Sequence, residues 1–372
     1  MEFSKHTEYN ILDSLIDNNI HFALYRLPKT NTINLIMQKS DITQTFSNLS
    51  ELNGKNGFTI VPYQITGSTP VILIKPDVIL NNEQNILDYI KKLDLHQKNG
   101  YRPASYPDKE DCNSFERYCK VYDLFQEELE SGKCTKLVLS RTFDIDKGDR
   151  FSAGASFAKA CSKYPNSFIY LCHTPISGTW LGCSPERLIS GQDNQWITDA
   201  LAGTQKAESD IASAVWDDKN KLEQQIVADY MHQQLQKAGI TSSHNNVETI
   251  QAGNLLHLRS EFSFHLDNPS QIGHVLDLLH PSPAINGFPK EEAFNFILDN
   301  EGYNRSYYSG FIGNLNTDER TDLYVNLRCM QIFDNKLRLY AGGGILPSSD
   351  LFSEWKETEN KLQTIISIIE NI

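Results

Sequence analysis

Strand-length apolar runs follow one another directly along most of this 372-residue chain, and that succession restricts its fold more than any other feature. The runs cover 20–27, 33–38, 58–64 and 70–74, then 134–141, 167–172, 179–190, 196–204, 246–251, 255–265, 306–313, 322–333 and 337–341. Strands joined by short connections pair antiparallel, because a parallel neighbour needs a long crossover. Helical periodicity is confined to 8–17, 112–130, 153–163, 210–237, 270–279, 290–298 and the segment after Asp350. Asp111 is placed to cap the second of these, where Phe115, Tyr118, Tyr122, Phe125 and Leu129 share one stripe. In the long helix, Leu222, Ile226, Tyr230 and Leu235 make the apolar side. The pattern predicts an α+β fold of largely antiparallel sheet with helices outside. Residues 1–92 read as a scaffold segment of the same unit and 93–110 as a polar linker, leaving 111–372 as the part that carries the chemistry.

A formal net charge of −13 argues against nucleic-acid and anionic-membrane partners, so any bound anion needs a local cation. The seven cysteines are odd in number and form no C-x-x-C, so neither a disulfide framework nor a zinc knuckle is indicated. With no signal-peptide pattern and no membrane-length apolar run, the expectation is a cytoplasmic protein. One segment stands out for chemistry. The run 337–341 empties into Gly342, Gly343 and Gly344, read as a turn offering free N–H groups. The helix that follows carries Glu354, Glu357 and Lys361 on one face. Such a pair of elements could hold a hydrated cation and an anionic ligand together, or could be a solvated face of Glu–Lys pairs.

Nine pieces, the last two from this same segment, bear on that choice: KLVLSR (136–141), SPERL (184–188), ALAGT (200–204), LLHLRSEF (255–262), HPSPAINGFPK (280–290), YYSGFIG (307–313), LRC (327–329), LYAGGGI (339–345) and EWKETENK (354–361). In this order and spacing they resemble the chorismate-utilising enzymes, over about residues 110–372. That family includes isochorismate, salicylate, anthranilate and aminodeoxychorismate synthases. The resemblance implies a large antiparallel β-sandwich surrounded by helices, with chorismate in a cleft and Mg²⁺ on its ring carboxylate. Glu223 and Glu357 match the metal ligands, with Glu354 at or just outside the first shell. Magnesium keeps several waters and takes few carboxylates, so this set suffices. Where the family often has His after the first glutamate, this chain has Gln224; the alternative for Glu223 is a solvated residue paired with Lys219. Arg328, placed inside a strand, is the implied partner of the enolpyruvyl carboxylate. Tyr308, Gly342, Gly344, Lys361, Gly203 and Thr204 complete the implied substrate contacts.

Individual residues then separate the branches. Ala202 stands where aminodeoxychorismate synthases of the lysine-nucleophile type have Lys. Lys136 matches the residue that activates water for attack at ring C2 in isochorismate and salicylate synthases. A lysine works as a base near neutral pH only when neutral, a form that burial and a nearby cation favour. Glu186 matches the acid that protonates the departing C4 hydroxyl, so it must hold its proton; opposite demands on two groups flanking one ring assign acid and base. His257 is placed to bond that hydroxyl. Ala284 lacks the hydroxyl of the threonine found in salicylate synthases. The chain is therefore most like isochorismate synthases, isomerases feeding menaquinone or siderophore formation. A salicylate synthase and an amidotransferase-partnered subunit are the alternatives, and no obligate protein partner is expected.

Overall fold

The computed structural model describes residues 7–95, 114–207, 211, 214–252 and 255–369. Most of the expected linker, and Asp111, lie outside the described residues. The helix Phe115–Glu130 is capped instead by Ser114, whose side chain accepts from the Arg117 N–H. Two large sheets, of nine and ten strands, make the body of the fold, and their pairings are antiparallel. The elements that build the site are β1 (Lys136–Asp146), β2 (Gly178–Ser184), β3 (Arg187–Gln192), β4 (Gln195–Lys206), β5 (Leu255–His265), β6 (Arg320–Val325), β7 (Cys329–Ile332) and β8 (Lys336–Ile345), with helices α1 (Asp218–Lys237) and α2 (Leu351–Ile366). The first sheet runs β1–β8–β7–β2 and the second β5–β4–β3–β6 through this region. Strands of the N-terminal segment enter both: Phe22–Arg26 pairs with Phe168–Thr174 in the first, and Gly57–Val61 pairs with Phe311–Leu315 in the second.

Central strands such as Phe168–Thr174 and Gly178–Ser184 are buried on both faces, so they read as continuous apolar runs rather than alternating ones. An aromatic core lies between the sheets, where Phe168 of one stacks on Tyr324 of the other with ring centroids 4.3 Å apart. Helices cover the outer faces over two further apolar clusters. Burial of this extent supplies the main driving force.

Two runs read as single strands are each split between the sheets. The run 179–190 leaves the first sheet after Ser184, passes through Pro185 and Glu186, and re-enters pairing in the second sheet as β3. Pro185 has no N–H to give a ladder, so the strand breaks there. The run 322–333 makes the reverse passage, leaving the second sheet after Val325 and rejoining the first at Cys329. Arg328 therefore sits in a crossover, not inside a strand, with a left-handed φ of 47°. The crossovers lie side by side: Val325 N donates to Glu186 O (3.0 Å) and Cys183 N donates to Arg328 O (2.9 Å). The glycine run also differs from expectation. It is no turn but the end of β8, in register with β1 from Gly342↔Ser140 through Gly344↔Val138. In α1, Leu222 is exposed, because the inner face of the first turns carries Asn220, Glu223 and Gln224 in place of an apolar stripe.

A buried ion pair pins this region. Glu301 accepts from the N–H and the hydroxyl of Ser140 on β1, each at 2.7 Å, and from Arg305 Nε at 2.6 Å. Arg305 also donates to the carbonyls of Ile285 and Val138. Arg305→Met leaves a buried carboxylate unpaired, and urea unfolding should show a loss of about 3–5 kcal/mol.

Candidate active site

Where the two crossovers part the sheets, they leave a cleft floored by the glycines of β8. Its walls bring together most of the residues singled out from the sequence: Glu186, Gly203, Thr204, Glu223, His257, Ala284, Tyr308, Arg328, Gly342, Gly344 and Lys361. Three others stand just outside. Lys136 is wholly buried behind Glu223, while Glu354 and Glu357 line an adjoining hollow that Thr204 also borders.

The glycines act by lacking a side chain. A β-carbon on Gly344 would fall 2.2 Å from Glu223 Oε1 and 2.9 Å from Lys136 Cε. On Gly343 it would lie 3.2 Å from Glu357 Oε1 and 3.4 Å from Glu354 Oε2, and on Gly342 3.0 Å from the Tyr308 hydroxyl. The bare strand thus lets α1 and α2 lower their carboxylates onto it.

Each of those carboxylates meets its own lysine. Lys136 Nζ is 2.9 Å from Glu223 Oε1, close but not aligned as a hydrogen bond. Lys219 Nζ lies 2.5 Å from Glu354 Oε1, and Lys361 Nζ 2.6 Å from Glu357 Oε1. Lys361 also donates to Gly342 O at 2.7 Å, tying α2 to β8. The alternative of a solvated Glu223 paired with Lys219 does not hold: Glu223 is buried, and Lys219 crosses to the other helix. Burial works to raise the Glu223 carboxyl, but Lys136 and then Lys219 overcome it and hold it below the ordinary value. Glu354 moves the other way, to about 7, through burial and the nearby Glu357 charge, against the pull of Lys219. Its Oε2 is buried without a hydrogen-bond partner among the described residues. Among the described residues no three His, Cys, Asp or Glu side chains form a ready-made metal cage. A cation held here would take the place the ammonium groups now hold beside these carboxylates.

On the opposite wall, burial pushes Glu186 up to about 8, opposed by Lys136 and raised further by Asp199. It therefore holds a proton at neutral pH. Arg187, the next residue, does not pair with Glu186 but turns to Asp199 and Glu261. His257 is neutral, driven down to about 3 by burial and by Arg328. Its Nδ1 lies 2.9 Å from Gly203 O, which can only accept, so Nδ1 carries the proton and Nε2 accepts from Arg328 (3.3 Å). Arg328 also donates to Thr364 Oγ1 at 3.1 Å and meets no carboxylate within ion-pair distance among the described residues, and burial lowers it to about 10. A buried guanidinium so placed is ready for an anion. Tyr308 stacks on Tyr340 with ring centroids 5.1 Å apart. Tyr340, Lys219 and Asn220, whose Oδ1 accepts from Thr204 N, were not among the residues picked from the sequence. Lys219 stands one helical turn before Glu223, but nothing in that spacing tells that it reaches across to α2.

Known proteins are similar to this chain in sequence and in fold. Isochorismate synthase EntC of Escherichia coli K12 is 28% identical over 243 residues, 63% of this chain and 62% of that protein. The match thus spans less than two thirds of EntC. Isochorismate synthase MenF of Haemophilus influenzae is 26% identical over 351 residues, 87% of this chain and 81% of that protein. The solved structure of MenF, the menaquinone-specific isochorismate synthase from Escherichia coli, superposes with a TM-score of 0.78 at 21% identity, covering 96% of this chain and 90% of that one. The family model described as chorismate binding enzyme matches residues 11–370, and the chain belongs to that family.

Proposed function

We propose that this chain is a Mg²⁺-dependent isochorismate synthase, an isomerase that adds water at C2 of chorismate and releases the C4 hydroxyl as water. The observation that carries this reading is the pairing of opposites in one site: a buried carboxyl at Glu186 held protonated to about pH 8, and a buried amine at Lys136 behind the cleft floor. On this reading Lys136 takes the proton of the attacking water and Glu186 gives its proton to the leaving hydroxyl, so one water enters and one departs. Arg328 grips the enolpyruvyl carboxylate, with the Tyr308 phenol beside it. His257, whose Nε2 accepts from Arg328, orients that guanidinium, a different use of the ring from the direct bond to substrate expected of it. Lys361, held between Gly342 O and Glu357, faces the ring carboxylate.

The residues present suit a divalent cation. Three carboxylates approach one bare strand, and the buried Glu354 Oε2 has no hydrogen-bond partner among the described residues. When bound, the ion would be held by Glu223 and Glu357 with Glu354 beside them, and would supply positive charge for the ring carboxylate while drawing Glu223 away from Lys136. Relatives named for isochorismate formation include a menaquinone-specific and a vibriobactin-specific enzyme, and the reading extends to menaquinone or siderophore formation alike. It takes the chain to act in the cytoplasm without a protein partner.

Incubation with chorismate and Mg²⁺ followed by product chromatography should yield isochorismate. Salicylate and pyruvate as main products, or a requirement for ammonia, would overturn the reading. Lys136→Ala should abolish turnover while chorismate still binds by calorimetry; unchanged turnover removes Lys136 from the mechanism. Glu186 must be protonated, and its raised value means the active form persists below about pH 8 and is lost above it. The kcat/KM profile should therefore fall roughly tenfold per unit on its alkaline limb. A flat profile to high pH contradicts that role. Gly344→Ala should fold yet lose about a hundredfold in kcat/KM, because the new methyl evicts Glu223.

A further inference from the structure

Arg141 lies on β1, the strand that opens with Lys136, opposite Ala341 and one step from Gly342. It is only 4% exposed, whereas the buried Lys136 and Arg305 nearby each meet a glutamate. Its own partners are neutral. Nε donates to Thr358 Oγ1 at 2.7 Å, and the guanidinium carbon sits 3.7 Å over the Trp355 ring. Thr358 spends its own proton on the Trp355 carbonyl at 2.7 Å, which leaves its oxygen free to accept from Arg141. The indole is in turn held edge-on by Phe115 and Tyr118, with ring centroids 5.1 and 5.2 Å away. Burial lowers the guanidinium to about 10, and Tyr118 and Glu359 offset this only in part.

A buried cation that meets a hydroxyl and a ring adds little net stability, and an apolar side chain of similar volume would fill the place as well. What the arrangement does supply is orientation. Trp355 and Thr358 are the residues immediately after Glu354 and Glu357, so the clamp grips α2 beside each of its two carboxylates. A planar guanidinium fixed by one aligned hydrogen bond and one stacked face allows the helix neither to roll nor to slide along β1. We propose that Arg141 is a positioning residue for the carboxylates of α2, setting the register of that helix against β1 and so the affinity with which Glu354 and Glu357 take a divalent cation. The proposal rests on the reading that these carboxylates hold such an ion. It makes β1 the common frame of the site, with the base at one end and the clamp on the metal-side helix five residues on.

The test uses the full chain and Mn²⁺ as probe, with free ion read by electron paramagnetic resonance, in wild type, Arg141→Lys, Arg141→Met and Thr358→Val. Loss of a residue that orients metal ligands costs on the order of tenfold to a hundredfold in affinity. Both Arg141 variants should weaken Mn²⁺ binding by that factor. Lysine should fail to rescue, since it keeps the charge but not the planar fork, and Thr358→Val should weaken binding from the other side of the same contact. Turnover assays should show a raised Mg²⁺ requirement, with kcat recovering at saturating Mg²⁺ and the KM for chorismate unchanged there. Wild-type Mn²⁺ affinity in variants that keep a native thermal transition would overturn the proposal, as would a kcat lowered equally at all metal concentrations. If Arg141→Met does not fold, the lysine and Thr358 variants decide. A wild-type chain that binds no Mn²⁺ overturns the metal reading itself, a result distinct from binding that the variants leave untouched.

Discussion

The ion pair between Lys136 and Glu223, sealed under Gly344, is the constraint on which the rest of the site depends. A wholly buried ammonium is sustained only by a close anion, and here the anion arrives from a different element, helix α1. The two can meet only because the strand between them has no β-carbon at Gly344. That requirement fixes the depth at which α1 packs, and the same bare strand sets the depth of α2 through Glu357 and Glu354. The glycines are thus a packing device. In strands they are normally weakening, and their cost is accepted where another group must approach the backbone closely.

The crossovers answer a second problem, how to place an acid and a guanidinium deep between two sheets without interrupting either ladder at its centre. Each chain passage abandons one sheet and is at once taken up by the other, and the two passages bond to each other through Val325, Glu186, Cys183 and Arg328. The backbone groups freed by leaving the sheets are satisfied locally, as buried polar groups must be. Glu186 and Arg328 consequently project from rigid backbone. Desolvation there disfavours the charge on each, raising the carboxyl so that it keeps its proton and lowering the guanidinium.

Much of this was legible in the sequence, and the failures have common causes. The antiparallel α+β class followed from strands in direct succession, and the motifs carried the family. What the pattern concealed was sheet membership. A run such as 322–333 is apolar throughout because both sheets bury their strands on both faces, so nothing in its composition marks the point where it changes sheet. Only Pro185, in the other crossover, left a local sign. The exposed Leu222 failed for a related reason: the inner face of α1 is polar where it meets the cleft, so hydrophobic periodicity points the wrong way around the helix there. Three-glycine runs usually announce turns, and the reading of a turn at 342–344 took the residue type at its usual meaning when tertiary crowding had set it. Long-range ion pairs such as Lys219 with Glu354 follow from the approach of two helices, which one-dimensional spacing does not encode.

Charge explains why such crowding is tolerable. Lys136, Lys219 and Lys361 face Glu223, Glu354 and Glu357, so the charges on the glycine floor nearly cancel, with Glu354, raised to about 7, part protonated at neutral pH. On the proposed reading the incoming pair is also neutral in sum, a divalent cation with a substrate bearing two carboxylates. Adding both leaves the balance intact, while either one alone brings an uncompensated double charge into a region shielded from water, where such imbalance is most costly. The lysines then have a use beyond stabilising the empty floor. A cation held by the glutamates would leave the ammonium groups free to meet the substrate carboxylates. Lys361, already bonded to the strand on which the ring would rest, is the one best placed to change partner without moving. Metal and substrate binding are in this view a single exchange of ion partners, governed by the closeness to which Gly343 and Gly344 admit the helices.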